Sequence, residues 1–182
     1  MSGSIDIVFE THSLSEDNER GIATGWNSGR LSDRGREFAV ELGRRRRVEA
    51  IDTVFTSDLG RAVETAEVAF AGSGAVILHD WRLRECDYGD LNGAPAEIVH
   101  RDRRRYLDEA YPGGESWRQA VERASRFLAD LPPRWIGKRI LVIGHVATRW
   151  ALDQAIDAQP LDTLIDADFG WQEGWEYTLR TA

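Results

Sequence analysis

Short apolar runs alternate with longer amphipathic stretches along this chain. The runs are rich in β-branched residues and only a few residues long, which is typical of buried strands in a parallel sheet. They predict strands at residues 5–10, 53–57, 75–79 and 139–144. Near the end of the chain, further strand-like pieces lie at about residues 164–169 and 174–180.

Helical periodicity fills most of the intervals between these runs. Ser32 is a predicted N-cap, and Ser116 forms a capping box with Gln119 at the start of the clearest apolar stripe. The predicted helices cover about residues 32–47, 58–71, 95–107, 116–131 and 146–156. Strands alternating with helices predict an α/β protein, and we expect a three-layer α/β/α sandwich with a mostly parallel central sheet, as one domain over residues 1–182.

Composition places the chain among ordinary globular proteins. Apolar residues make up 42% of the 182 positions and charged residues 30%. The single cysteine, Cys86, excludes an intramolecular disulfide, and the first residues lack the basic and apolar regions of a signal peptide. We therefore expect a cytoplasmic protein that does not cross a membrane.

The charge balance narrows the class of partner. A formal net charge of −8 argues against nucleic acid or an anionic membrane as a partner. Two arginine clusters, at 44–47 and 101–105, are either a patch for a phosphate backbone or a helix end and a solvated helix face. Because no aromatic residues interleave either cluster, the second interpretation is favoured.

Two histidines follow directly after predicted buried strands, and they carry most of the functional information. His12 comes shortly after the first strand and His145 directly after the strand at 139–144. Polar residues at the carboxyl ends of parallel strands lie where α/β proteins bind ligands. His145 also precedes a helix, so the backbone N–H groups of Val146 and Ala147 are expected to face an anion.

Two further charged residues complete a set suited to phosphoryl transfer. Arg61 lies in the first turn of a predicted helix, where the helix dipole disfavours a cation unless an anion or carboxylate is nearby. Glu85 lies in an irregular stretch over residues 80–94. Together with His12 and His145 they offer a nitrogen nucleophile, a cation for phosphate oxygens, a proton donor and a second imidazole.

The order of these residues resembles the histidine phosphatase superfamily, also called the phosphoglycerate-mutase-like family. The resemblance covers roughly residues 5–155 and rests on collinear blocks. The blocks are Thr11-His12-Ser13 with Ser15 and Asn18, residues 25–35, Ser57 with Arg61-Ala62 and Thr65-Ala66, Leu83 with Glu85, Gly89 and Gly93, residues 113–116, and Gly144-His145.

The resemblance implies a role for each matching residue. His12 would be the nucleophile that becomes phosphorylated, and Glu85 would protonate the leaving alcohol and then activate water. Arg61 and His145 would complete the catalytic set. The implied phosphate-binding residues are Arg61, His145, Asn18, Thr11, Ser15 and Val146. The chemistry requires no metal and no cofactor, because charged and dipolar protein groups surround the phosphoryl oxygens.

The main departure from the family pattern is Thr11, which stands where the family has an arginine. Ser13 and Val146 likewise stand where the family has, or often has, glycine. Three alternatives follow from Thr11: another arginine, Arg20 or Arg149, reaches the site; the substrate brings its own cation or binds through a larger body; or catalysis is weak or lost.

These observations favour a phosphatase that hydrolyses a phosphate monoester through a phosphohistidine. The alternatives are a catalytically impaired phosphate-binding regulatory protein and a phosphomutase. Only about thirty residues separate Glu85 from Ser116, whereas mutases of this family are longer there. The expected partner is a small phosphorylated metabolite, whose identity the sequence leaves open together with the oligomeric state.

Overall fold

A computed structural model describes residues 3–167 and 169–181 of the chain. The strands are β1 (Ser4–Thr11), β2 (Ile22–Ala23), β3 (Thr53–Thr56), β4 (Ile77–His79), β5 (Ala94–Pro95), β6 (Arg139–Gly144) and β7 (Trp175–Arg180). The helices are α1 (Glu16–Glu19), α2 (Asp33–Arg46), α3 (Gly60–Phe70), α4 (Ala96–Arg101), α5 (Trp117–Asp130), α6 (Pro132–Trp135), α7 (Val146–Asp157) and α8 (Leu161–Leu164).

Five strands form the central sheet, in the order β4-β3-β6-β1-β7. The first four strands in this order run parallel, and β7 pairs antiparallel with β1 at one edge. The two short strands β2 and β5 pair with each other in a separate ribbon. The prediction of a mostly parallel sheet is therefore confirmed.

Helices cover both faces of this sheet, as strands buried on both sides require. Val8 and Val54 pack in one apolar cluster with residues of α2 and α3. Phe9 and Ile140 pack in a second cluster with residues of α5 and α7. Because neighbouring residues of a strand point to opposite faces, β1 supplies both clusters, and the chain forms the expected three-layer sandwich.

The register of the central strands places the predicted site. Thr11 pairs with Gly144 at the carboxyl ends of β1 and β6, so His12 and His145 follow side by side. The backbone N–H of His12 donates to the carbonyl of Gly144 at 3.0 Å. Strand β3 lies on the other side of β6 and leads into α3, which carries Arg61.

One predicted helix is too long, and one predicted strand is wrong. The helix expected over 95–107 ends at Arg101, and hydrogen-bonded turns follow, because Tyr106 stacks on Tyr111 at a ring-centroid distance of 3.9 Å. The strand-like piece near 164–169 begins instead with the last residue of α8, where Leu161 and Leu164 are buried at helical spacing. Residue 168 of that piece lies outside the described residues.

The interpretation of the cluster at 44–47 as a helix end is confirmed, because α2 ends at Arg46, but one of these arginines is not solvated. Arg46 is buried, and its Nε donates to Glu10 Oε1 at 2.8 Å while its Nη1 donates to Glu49 Oε1 at 2.6 Å. A buried guanidinium is tolerated only when its charge and its donors are matched in this way. The run of arginines thus contributes an internal ion pair that joins α2 to β1.

The crossing of α2 and α3 depends on Gly43, whose hydrogen allows the two backbones to approach. A Cβ atom built on Gly43 would lie 2.1 Å from the carbonyl oxygen of Ala69. In an open helix, Gly→Ala is stabilising by about 1 kcal/mol. We expect Gly43→Ala instead to lower the free energy of unfolding by about 2 kcal/mol, since the helices must separate.

Urea denaturation measures this change. Gly170→Ala is the matched control, because nothing lies within 4 Å of its Cβ position, and its stability should stay close to that of the parent. A Gly43→Ala protein more stable than the parent would contradict the proposed close approach.

Candidate active site

A cavity of about 760 Å³ lies at the carboxyl ends of β1 and β6. Sequence-predicted residues from four separate segments line it together. They are Thr11, His12, Asn18, Arg61, Glu85, His145 and Val146. The fold thus brings into one space the residues that the sequence singles out for phosphoryl transfer.

His12 is oriented by a bond to its own neighbour. Its Nδ1 lies 2.7 Å from the carbonyl oxygen of Ser13, so Nδ1 carries the proton and donates it there. Its Nε2 then has a lone pair, which accepts from Arg61 Nε at 3.3 Å. Burial of the ring, reinforced by the charge of Arg61, lowers the pKa of His12 from 6.5 to about 3. The imidazole is therefore neutral at physiological pH, which is the nucleophilic form.

Arg61 lies at the centre of the site and is only 2% exposed. Its Nη1 donates to the carbonyl of Asn27 and its Nη2 to that of Gly25, both at 3.0 Å. Gly25 has a φ of +54°, a conformation in which other residues are strained, and this turn directs its carbonyl at the guanidinium. Backbone carbonyls of the loop before α2 thus stabilise the guanidinium of Arg61, whose position in the first turn of α3 is unfavourable for a cation.

His145 is the second imidazole that contacts Arg61. Its Nδ1 accepts from Arg61 Nη2 at 3.3 Å, and its Nε2 lies 2.8 Å from Ser57 Oγ, to which it donates. Burial, followed by the charge of Arg61, lowers the pKa of His145 well below its usual range. The two histidine rings lie 5.0 Å apart between centroids. Both imidazoles are therefore neutral and orient their acceptors toward one guanidinium.

Glu85 occupies the position where an anion was expected. Its carboxylate accepts from the N–H groups of Cys86 and Ala147 at 2.9 and 3.2 Å, and from that of Val146 at 3.3 Å. The start of α7 therefore binds the Glu85 carboxylate, so the N–H groups of Val146 and Ala147 face an anionic group as expected, and a role of Val146 in binding phosphate stays a prediction. Burial raises the pKa of Glu85 despite these bonds and the charge of Arg61. A carboxyl group with a raised pKa is suited to donate a proton.

Residues that sequence reasoning missed fix the backbone of Glu85. Trp26 Nε1 donates to the Glu85 carbonyl at 2.7 Å, and Arg123 Nη2 donates to the same oxygen at 3.0 Å. Arg123 also forms a bidentate pair with Glu115, with N···O distances of 2.8 and 2.7 Å. No local sequence signal marks these two residues. Ser57, by contrast, directly follows β3. Because polar residues at the carboxyl ends of parallel strands lie where ligands bind, its position marks it as a candidate site residue.

Asn18 and Ser15 form the capping box of α1. Asn18 Oδ1 accepts from the N–H of Ser15 at 3.1 Å and from its hydroxyl at 2.8 Å. Asn18 lines the cavity, but Ser15 is fully buried and is not among the described residues of the lining. Ser15 was expected to line the pocket. In the structure it is buried instead and orients the side chain of Asn18.

Neither arginine expected to replace the missing family arginine lies in the cavity. Arg20 is largely exposed and pairs with Glu16 at 3.1 Å. Arg149 lies over the ring of Trp175, with 4.3 Å from its guanidinium carbon to the centroid. The lining contains Arg45 of α2 instead. Neither Arg20 nor Arg149 therefore takes over the role of the arginine that the family has at the position of Thr11.

Two further observations concern only residues 3–167 and 169–181. Within these ranges, no three His, Cys, Asp or Glu side chains are grouped so that they could hold a metal ion. No helix in the same ranges is both long enough and apolar enough to cross a membrane.

The geometry of His12 predicts its tautomer. Because its pKa is lowered to about 3, acidification from about pH 8 to about pH 5 should leave the ring neutral, with the proton on Nδ1. Long-range nitrogen–proton NMR correlations of the imidazole report this directly, and the signals are assigned by their loss in His12→Gln. Protonation of both nitrogens at about pH 6 would contradict the geometry.

Comparison with known proteins agrees with this site. Residues 7–172 match the sequence profile described as the histidine phosphatase superfamily, branch 1. A 2,3-bisphosphoglycerate-dependent phosphoglycerate mutase of Parvibaculum lavamentivorans is 35% identical over 155 residues, covering 76% of this chain and 73% of that protein. YhfR of Bacillus stearothermophilus has a similar structure, with a TM-score of 0.80 and 26% identity over 93% of this chain and 88% of that one. A mycobacterial glucosyl-3-phosphoglycerate phosphatase shares the fold, with a TM-score of 0.74 and 24% identity over 91% of this chain and 84% of that one. The chain therefore belongs to the histidine phosphatase superfamily.

Proposed function

We propose that this protein is a phosphatase that hydrolyses a phosphate monoester of a small metabolite through a phosphohistidine on His12. The observation that carries the proposal is the state of that ring. Its Nδ1 proton is held by the Ser13 carbonyl, and its Nε2 lone pair faces Arg61 inside the cavity. A neutral nucleophile beside a fixed cation is the arrangement that attack on a phosphate ester requires.

In the first step, Nε2 of His12 forms a bond to phosphorus while the bond from phosphorus to the alcohol oxygen breaks. The carboxyl group of Glu85 gives its proton to the departing alcohol oxygen, and its raised pKa favours the protonated form that this step needs. Arg61 binds the phosphoryl oxygens, with Asn18 and the hydroxyl of Thr11 in the same cavity wall.

In the second step, water replaces the alcohol. The ionised Glu85 takes a proton from this water as its oxygen attacks phosphorus, and the bond from phosphorus to Nε2 breaks. Inorganic phosphate leaves, and His12 and the protonated Glu85 are restored. The protein's own charged and dipolar groups stabilise both transition states.

In this proposal, threonine at position 11 makes the reaction slower than an arginine would, but it does not abolish the reaction. A guanidinium at that position would add charge-assisted hydrogen bonds worth about 1.5–3 kcal/mol. Threonine offers one hydroxyl, which leaves the reaction roughly tenfold to a hundredfold slower. Arg61 and both imidazoles are in place, and they support retained catalysis over a protein that only binds phosphate.

The alternative of a phosphomutase is favoured by the names of the curated relatives. Hydrolysis is supported here by the short segment between Glu85 and Ser116, in which α4 is the one α-helix among the described residues. A mutase must shield its phosphohistidine from water until an acceptor arrives, and a short segment offers little cover.

Rapid quench with radiolabelled phenyl phosphate tests the proposal. We expect an acid-labile, base-stable phosphoenzyme in the parent and in His79→Asn, a control on β4, but none in His12→Asn. The label should then appear as inorganic phosphate.

Two outcomes would overturn the proposal. Preferential transfer of the label to added phosphoglycerate would indicate a mutase. Phosphate binding without any phosphoenzyme would indicate a regulatory protein.

A further inference from the structure

The cavity extends well beyond the reacting groups, and this extension is apolar and aromatic. One wall comes from α2 and the segment before β7, where Phe38, Leu42, Phe169 and Trp171 line the space. Phe38 is 44% exposed and Trp171 is 65% exposed, so large apolar surfaces at the cavity remain in contact with water. Exposed aromatic side chains that line a cavity are typical of a surface that a ligand covers.

The charged residues that line the extension are paired with one another or with neighbouring arginines. The described lining contains four carboxylates, at Glu10, Glu41, Glu85 and Glu173, and guanidinium groups only at Arg45 and Arg61.

Arg45, the cation of the extension, shares Glu10 with Arg46, which binds that carboxylate at 2.8 Å. Arg45 lies 3.5 Å from Glu10 and 3.6 Å from Glu173. In the proposed reaction Arg61 binds the phosphoryl group. The carboxylates of the extension at Glu10, Glu41 and Glu173 thus all have arginine partners, and the apolar surfaces remain as its distinguishing feature.

We propose that the site selects phosphate esters of planar, apolar alcohols that bind against Phe38 and Trp171. This inference rests on the proposed phosphatase function and names its substrate class. A cavity of about 760 Å³ accommodates a ring system besides the phosphate. A flat apolar group gains from the burial of both aromatic surfaces, whereas a short carboxylate gains nothing from them.

Binding is the first readout, because it does not depend on turnover. The probes are 2-(2-naphthyl)ethyl phosphate, ethyl phosphate and 3-phosphonooxypropanoate, three alkyl esters that share the phosphate and differ in the rest. Calorimetry with His12→Asn should rank the naphthyl ester about a hundredfold tighter than ethyl phosphate. The carboxylate ester, which offers no apolar ring, should also bind more weakly than the naphthyl ester.

Substitutions in the extension should change this ranking. Phe38→Ala and Trp171→Ala, each added to His12→Asn, should each reduce the preference for the naphthyl ester about tenfold. Ile136→Ala, which removes an exposed apolar side chain outside the lining, should leave it unchanged.

The outcomes separate this inference from the proposed function. Tighter binding of the carboxylate ester than of the naphthyl ester would overturn the inference, as would a preference that survives both alanine substitutions. If binding follows the predicted ranking but the parent hydrolyses none of the three esters, the subsite stands and the phosphatase proposal fails. If the parent hydrolyses all three with equal kcat/KM, the phosphatase proposal stands and the substrate class is wrong.

Discussion

A single buried guanidinium is the constraint on which the site depends. Removing a cation from water is costly unless its donors are satisfied, and Arg61 satisfies them with the carbonyls of Gly25 and Asn27 and with the imidazoles of His12 and His145. An imidazole can accept from Arg61 only when it is neutral at the accepting nitrogen. The cation therefore favours one tautomer of each histidine, and burial of the two rings, reinforced by the charge of Arg61, lowers both pKa values. A phosphoryl group would bring the negative charge that this arrangement lacks.

The central sheet makes this arrangement possible. Parallel pairing of β1 with β6 ends at Thr11 and Gly144, which puts His12 and His145 on adjacent strand ends. Strand β3, on the other side of β6, delivers Ser57 and Arg61 from the same edge. Three strand ends and one loop thus supply the site, and Glu85 binds the start of α7 between them. Because the apolar core sets the register, the positions of the reacting groups follow from packing far from them.

The sequence allowed the sheet to be predicted, because short β-branched runs leave few alternatives to buried strands. His12 and His145 were found for the same reason, since each directly follows such a run. Arg45 could not be found as a cavity residue, because its helix position and its arginine neighbours resemble a solvated surface. Trp26 and Arg123 were missed because their contacts with the Glu85 backbone exist only in the folded chain. The helix expected over 95–107 failed because stacking of Tyr106 on Tyr111 outweighs local helix preference.

The dependence of the site on the Arg61 guanidinium is tested most directly by comparing the affinity of the parent and of Arg61→Lys for inorganic vanadate. Lysine keeps the charge but cannot donate to two imidazoles and an anion through a rigid planar group. We expect at least about tenfold weaker vanadate binding in Arg61→Lys, since charge-assisted hydrogen bonds are worth about 1.5–3 kcal/mol. Arg36→Lys, which alters an ion pair with Glu64 in the same part of the chain, should bind vanadate as the parent does. Equal affinity in the parent and in Arg61→Lys would contradict the dependence of the site on a guanidinium at this position.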